Sequence, residues 1–119
     1  MTLAQREPLN RFLAETVMGW DSKLWGYLGL AYERTTGSIW SHEWSPTSVW
    51  RDCEPLLNKI EQDGWEWSAR KVKRVDSGAY YEFALTKTID AHLIVARSES
   101  RTEALCLAIA RAYCWKEER

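Results

Sequence analysis

Residues 65–87 read WEWSARKVKRVDSGAYYEFALTK, and this stretch decides the fold class. Its first part alternates tryptophan and alanine with polar residues, the period-two pattern of a strand with one buried face. The pattern changes phase at Val72, so we expect a bulge or a strand end near Lys71. The Asp-Ser-Gly turn cluster at residues 76–78 then predicts that residues 79–87 pair back as an antiparallel strand.

Further elements are predicted on both sides of this hairpin. Downstream, we expect a short strand at residues 92–96 and a helix over residues 100–115, which Ser100 can cap. Alanines on the apolar stripe of that helix let it lie close to a sheet. Upstream, residues 47–60 place their apolar side chains on one helical face, and Pro55 either kinks that helix or resets its start.

The N-terminal third adds a helix and a second hairpin. Residues 9–18 have the three-and-four spacing of an amphipathic helix. Residues 23–34 are interpreted as one strand, which pairs with a short strand at residues 38–40. The resulting order of elements, α, β, β, α, β, β, β, α, predicts one α+β domain over residues 1–119. Its helices pack on a mainly antiparallel sheet as an α/β/α sandwich.

Charge and hydropathy narrow the class of protein. Sixteen Lys and Arg against seventeen Asp and Glu give a net charge of −1 over 119 residues. This balance argues against a nucleic-acid partner, which would favour a basic surface. No apolar run reaches the roughly 18 residues of a membrane span, and the N-terminus lacks the pattern of a secretory signal. We therefore predict a cytoplasmic protein without membrane contact.

The residues that usually carry chemistry are few. Cys53, Cys106 and Cys114 form neither an even set nor a CxxC pair and are interpreted as reduced core residues. His42 and His92 are too far apart in sequence to suggest a metal site, and no nucleophile elbow or phosphate-binding glycine loop is present. We predict no catalytic residues, no metal, no cofactor and no enzymatic activity.

A basic run is the clearest charge feature. It predicts an anion site formed with two nearby tryptophans, so that a base could stack on an indole while a guanidinium holds a phosphate. The alternative is a solvated strand edge, which cations protect against pairing. The residues of this candidate site are Arg70, Lys71, Lys73, Arg74, Trp65 and Trp67.

An aromatic loop is the second candidate site. The chain holds eight tryptophans, too many for a small core to hide completely, so some should reach the surface. Trp40, His42 and Trp44 flank a short polar link and suit either an anchor for a protein partner or one wall of a ligand pocket. A packed structural corner is an equally good interpretation.

Three segments together resemble a known family. They are NRFLAETVMGW at residues 10–20, WSPTSVWRDCEPLLNKIEQDGW at 44–65 and ARSESRTEALCLAIARA at 96–112. The order and spacing are similar to the phage ABA-sandwich domain, a family of small bacteriophage and prophage proteins. The resemblance implies a sandwich of helices and sheet and a phage-encoded setting in the host cytoplasm, and it carries over no catalytic residue.

Two functional hypotheses follow. The first is a non-enzymatic accessory protein that binds a host defence protein stoichiometrically, for example a CRISPR effector, and inhibits it. The alternative is a sponge that sequesters a small nucleotide signalling ligand. Self-association into a homo-oligomer is compatible with both hypotheses.

Overall fold

Helices and two antiparallel sheets make up the protein in the computed structural model, which describes residues 2–74, 78–87, 89 and 92–115. The α-helices are α1 (Leu3–Phe12), α2 (Glu54–Gln62) and α3 (Arg101–Ala112). The strands are β1 (Asp21–Leu24), β2 (Leu30–Arg34), β3 (Gly37–Trp40), β4 (Glu66–Arg74), β5 (Gly78–Lys87) and β6 (His92–Ser98). We call β1-β2-β3 the small sheet and β4-β5-β6 the large sheet.

The large sheet confirms the predicted hairpin but not the bulge. The pairing of β4 with β5 runs without interruption from Glu66 opposite Thr86 to Arg74 opposite Gly78. The phase change at Val72 has a simpler cause, because this half-buried residue lies on the face opposite Trp67 and pairs with Tyr80. Of the predicted turn, residues 76 and 77 lie outside the described residues.

Helix α3 covers one face of the large sheet and is the most deeply buried of the described elements. It packs against β5 and β6 and also contacts α1 and the segment Leu13–Val17. Leu105 and Ile109 have no exposed surface. As predicted, Ser100 caps the helix, with its hydroxyl accepting from the Glu103 amide at 3.4 Å.

The N-terminal helix is confirmed and begins earlier than predicted. It continues as a π-helical turn over Leu13–Val17, in which three of the five residues are buried against the core. Gly19 follows with a φ of +71°, the left-handed conformation that stops a helix at low cost. The chain then turns into β1.

The single strand expected over residues 23–34 is wrong. Two strands, β1 and β2, occupy this stretch, and a 3₁₀ turn over Gly26–Leu28 joins them. The two glycines decide the difference, because Gly26 and Gly29 have φ angles of +54° and +115°. Side chains disfavour both conformations, so the chain reverses here. The predicted strand over residues 38–40 is confirmed as β3.

The second helix starts later than the periodicity suggested. A 3₁₀ turn over Trp50–Cys53 leads into α2, where Pro55 occupies the first turn. A proline there loses no hydrogen bond, because the first amides of a helix have no partner within it. Pro55 therefore helps to start the helix. Thr47, expected near its start, is instead fully buried and receives a hydrogen bond on its carbonyl from Thr102 at 2.7 Å.

The α+β class and the packing of helices on antiparallel sheet are confirmed. The cysteines are free, and Cys53 and Cys106 belong to the core, where burial raises the pKa of Cys106. Cys114 is exposed, since it follows the end of α3, so the prediction of a core position is wrong for this residue. None of the described helices is long and apolar enough to cross a membrane.

Candidate functional site: a cleft beside the small sheet

Trp44 of the aromatic loop is a core residue. It is 3% exposed and packs edge-on against Trp20 at 4.8 Å and against Tyr32 at 6.2 Å between ring centroids. These three rings attach the small sheet to the chain before and after it. Trp44 is therefore part of the packed corner that the sequence left open as an alternative, and its side chain is not available to a partner.

Trp40 and His42 remain near the surface. Trp40 is half-buried at the end of β3, and the exposed His42 ring stacks on it at 6.3 Å with an interplanar angle of 15°. The structure thus brings together two of the three predicted partner-binding residues. His42 lines a cleft, which fits the ligand-pocket interpretation of this loop, whereas Trp40 lines a separate, shallower hollow.

The cleft has a volume of about 710 Å³ and lies between α1, β2 and the 3₁₀ turn Ser41–Glu43. This volume is in the range of about 300–1,000 Å³ typical of small-molecule sites. Most of the residues that line it have polar side chains, although apolar atoms make up most of the lining surface; they are Glu7, Pro8, Asn10, Arg11, Leu30, Tyr32, Ser41, His42 and Ser45. Glu7 and Arg11 are one helical turn apart, so α1 presents both charges to the same side.

The far wall of the cleft is held rigidly. Asn10 is 8% exposed, and its amide group donates to the Ser45 hydroxyl at 3.3 Å. Its carbonyl oxygen accepts from the Thr47 amide, also at 3.3 Å. Asp52 accepts from the Ser45 amide at 2.9 Å. These bonds fix helix α1 against the loop after Trp44, and the walls of the cleft are thereby set before any ligand arrives.

Tyr32 of β2 is one of the residues that line the cleft. Its side chain is 2% exposed, and burial raises the pKa of the phenol, opposed by the nearby charge of Arg11. The hydroxyl has no hydrogen-bond partner within the described part of the chain. A neutral hydroxyl on an almost fully buried ring is therefore open to bonding with an occupant of the cleft.

Arg11 forms an ion pair through one of its three nitrogens. Its Nε donates to Glu15, whose carboxylate also accepts from the Ser22 hydroxyl at 2.7 Å. Burial alone would raise the pKa of Glu15, but the bonds from Arg11 and Ser22 hold it below its usual value. Both Nη groups of Arg11 stay without a partner among the described residues, so they can bind an anion in the cleft.

The basic run lies elsewhere and does not assemble as predicted. Alternation puts Arg70 on one face of β4 and Lys71 and Lys73 on the other. Arg70 donates to Glu82 at 2.8 Å, and Arg97 from β6 donates to the same carboxylate at 2.7 Å. Together these contacts resemble the solvated strand edge offered as the alternative. Of Arg74, only the strand position is described.

The two tryptophans of that prediction also have structural contacts. Trp65 is 7% exposed, with the Lys87 ammonium 5.1 Å from its ring centre. Trp67 stacks on Phe83 at 5.5 Å and donates to Glu61 at 2.9 Å. Trp67 and Arg70 point to opposite faces of β4, so they cannot hold a base and its phosphate together. The anion-binding role of the run stays a prediction.

An apolar tip is the feature that the sequence analysis missed. It surrounds the turn between β1 and β2, and its residues Leu24, Trp25, Tyr27 and Leu28 are 72%, 48%, 98% and 62% exposed. A shallow hollow of about 270 Å³ lies beside it, lined in part by Trp25, Leu28 and Trp40. The signal was present in the sequence, but assigning these residues to one continuous strand hid the turn that exposes them.

Comparison with protein-family models, with curated proteins and with solved structures finds no match to this chain. The resemblance to the phage ABA-sandwich domain accordingly stays a prediction. Among the described residues, no three His, Cys, Asp or Glu side chains converge in a way that could hold a metal ion. Within the described residues, the cleft and the apolar tip both border the small sheet, and both offer surface to a ligand or a partner.

Proposed function

We propose that this protein acts by binding, and that it sequesters a small nucleotide in the cleft between α1 and β2. The observation that carries the proposal is a cavity of about 710 Å³ that is lined by Tyr32 and Arg11, whose hydroxyl and Nη groups have no hydrogen-bond partner among the described residues. A guanidinium with two free nitrogens suits a phosphate, because it can donate two parallel hydrogen bonds. The phage-encoded setting that the family resemblance implies is compatible with this role, as it was with the nucleotide sponge suggested by the sequence.

The rest of the lining supports the same ligand class. The His42 ring, backed by Trp40, offers an aromatic surface on which a base can stack. The exposed Glu7 carboxylate can accept hydrogen bonds from ribose hydroxyls, as an acidic residue does in dinucleotide-binding folds. Phosphate, base and sugar would thus each meet a suitable group around one cavity. The nucleotide site proposed here is therefore the cleft, and not the basic run that the sequence suggested.

Substitutions on and off the cleft test the proposal. We expect purified protein to bind adenosine monophosphate, with Arg11→Gln weakening the affinity by about tenfold or more and Tyr32→Phe by less. Arg70→Gln is the matched control, because it removes a guanidinium that lies outside the cleft. Isothermal titration calorimetry measures each affinity, and circular dichroism confirms that each variant is folded.

Two results would contradict the cleft as the site. If none of a panel of linear and cyclic ribonucleotides binds, nucleotides are excluded as the ligand. If Arg70→Gln loses nucleotide binding and Arg11→Gln keeps it, the nucleotide site lies at the basic run of β4 and not in the cleft. Native mass spectrometry of protein recovered from bacterial lysate identifies the bound nucleotide by its mass.

Stoichiometric inhibition of a host defence protein, such as a CRISPR effector, is the second candidate function. The exposed apolar tip favours it, because aromatic and aliphatic side chains of this kind form the buried anchors of protein interfaces. In that case Tyr27→Asp abolishes the complex with the host protein and leaves nucleotide binding unchanged.

A further inference from the structure

Each sheet has two edge strands, and three of these four edges are protected against pairing with a further strand. β4 presents the exposed cations Arg70, Lys71 and Lys73, which repel a second copy of the same edge. Gly37, the first residue of β3, accepts on its carbonyl from Arg34 of β2 at 3.0 Å. On β6, Arg111 donates to the Val95 carbonyl at 3.3 Å. Each of these edges carries either like charges or a side chain bound to its backbone.

The fourth edge, β1, has neither protection, and its contact with the π-helical turn includes a hydrogen bond from the Ser22 hydroxyl to Glu15. Within the described part of the chain, no side chain hydrogen-bonds to the backbone of Asp21–Leu24. The strand ends directly in the apolar tip, where Leu24 is 72% exposed. An open edge next to exposed apolar side chains is an arrangement that proteins usually avoid unless another strand pairs there.

The sequence of β1 identifies what that strand can be. If two copies pair antiparallel about a two-fold axis through Ser22, Asp21 of each copy lies opposite Lys23 of the other. Both side chains then point to the same face, so two ion pairs form across the axis. The same register sets the exposed Leu24 of one copy opposite the half-buried Trp20 of the other.

Asp21 also needs a cation that its own chain does not provide. Its partner in β2 is Glu33, a like charge directly opposite on the same face. Within the described residues Asp21 forms no ion pair, and Lys23 lies over the Trp25 ring at 4.8 Å. Pairing with a second copy would offset this repulsion, because Lys23 of the other copy would then lie beside Asp21.

We propose that β1 pairs with β1 of a second copy, which joins the two small sheets into one six-stranded antiparallel sheet. A pair of four-residue strands buries too little area for a stable dimer, which needs about 1,200 Å² or more in total. The apolar tip supplies the remainder, since Trp25 and Leu28 lie at the end of the pairing where the partner's Trp20 region begins. The alternative is that a different protein binds the apolar tip. The second copy is favoured because its Asp21 and Lys23 complement those of the first.

Charge reversal tests the proposal. We expect the wild type to be a dimer by sedimentation equilibrium, and Asp21→Lys or Lys23→Asp to weaken dimerisation about tenfold or more, because each substitution creates two like-charge pairs. Both positions are exposed, so the variants keep the fold, which circular dichroism checks. Lys71→Asp, a charge reversal at an exposed position on the β4 edge of the large sheet, is the control and should leave the dimer intact.

The decisive experiments restore opposite charges at positions 21 and 23. The double variant Asp21→Lys, Lys23→Asp should dimerise again, and an equimolar mixture of the two single variants should form a heterodimer. A monomeric wild type at about 100 μM overturns the proposal, since tight interfaces of this size persist well below that concentration. So does a dimer that survives both single substitutions or a double variant that stays monomeric. Nucleotide binding is measured separately, so failure of the cleft proposal does not affect this test.

Discussion

The small and large sheets have the same order and the same antiparallel pairing but are stabilised differently. The large sheet has strands of seven to ten residues and is covered on one face by the buried helix α3. The small sheet has strands of four or five residues and is attached through the rings of Trp20, Tyr32 and Trp44. The large sheet supplies the core, and the small sheet borders the cleft and carries the apolar tip. Stability and binding surfaces are therefore separated within one domain.

The largest expected effect compares a leucine from each region. Leu105→Ala on α3 should lower the free energy of unfolding by about 2–5 kcal/mol, because it leaves a cavity beneath the large sheet. Leu24→Ala at the tip should change it by about 0.5 kcal/mol or less, because the side chain is 72% exposed. Urea denaturation measures both values. Similar losses in the two variants would contradict the division between the sheets.

A smaller loss is expected from the turn that shapes the small sheet. Gly29 has a φ of +115°, and a Cβ built there meets no atom within 4 Å, so the backbone alone opposes a side chain. Gly29→Ala should cost about 1–3 kcal/mol. Ser38→Ala, an exposed position in β3, is the control and should cost almost nothing. Equal free energies of unfolding for the two variants would show that the turn conformation is not fixed by Gly29.

The smallest effect is predicted on the large sheet, at the Arg70–Glu82–Arg97 contact. Hydrogen bonds from Arg70 and Arg97 hold the pKa of Glu82 below its usual value of 4.5. Its stabilising contribution is therefore complete above the unfolded-state pKa and is lost as the pH falls through the lower folded value. Glu82→Gln should make stability less sensitive to acid in this range.

Thermal unfolding between pH 3 and pH 7 measures the Glu82 effect. The difference from the wild type should shrink at high salt, because the arginines are well exposed and salt screens them. A difference that does not respond to salt would show that Glu82 acts through packing instead of charge.

The sequence predicted those elements whose signals are local. The apolar stripe and cap of α3 and the alternation at the start of β4 depend on near neighbours, and both predictions are confirmed. The division of residues 23–34 was missed, because the aromatic and apolar residues of this stretch favour a strand. Gly26 and Gly29 weaken a helix and so favour the same interpretation, although in the structure they are turn residues. The position of Pro55 was one of two alternatives, and helix geometry selected between them.

The candidate site was predictable only in part. One wall of a pocket was one of the interpretations offered for the aromatic loop, and of its residues His42 lines the cleft while Trp40 stacks behind it. The opposite wall comes from α1, about thirty residues earlier in the chain, and no spacing rule relates Arg11 to His42. Trp44 was indistinguishable from Trp40 in sequence, since only the tertiary packing of Trp20 and Tyr32 makes it a core residue.

The strand order of each sheet also has a kinetic consequence. In both sheets every strand pairs with its neighbour in sequence, so most pairings close only short loops. Short loops cost little chain entropy to close, and chains dominated by such contacts fold fast for their size. The contacts that form across long separations include those of α1 with α3 and with the loop after Trp44. We therefore expect the cleft, one wall of which is α1, to form after the strands of each sheet have paired.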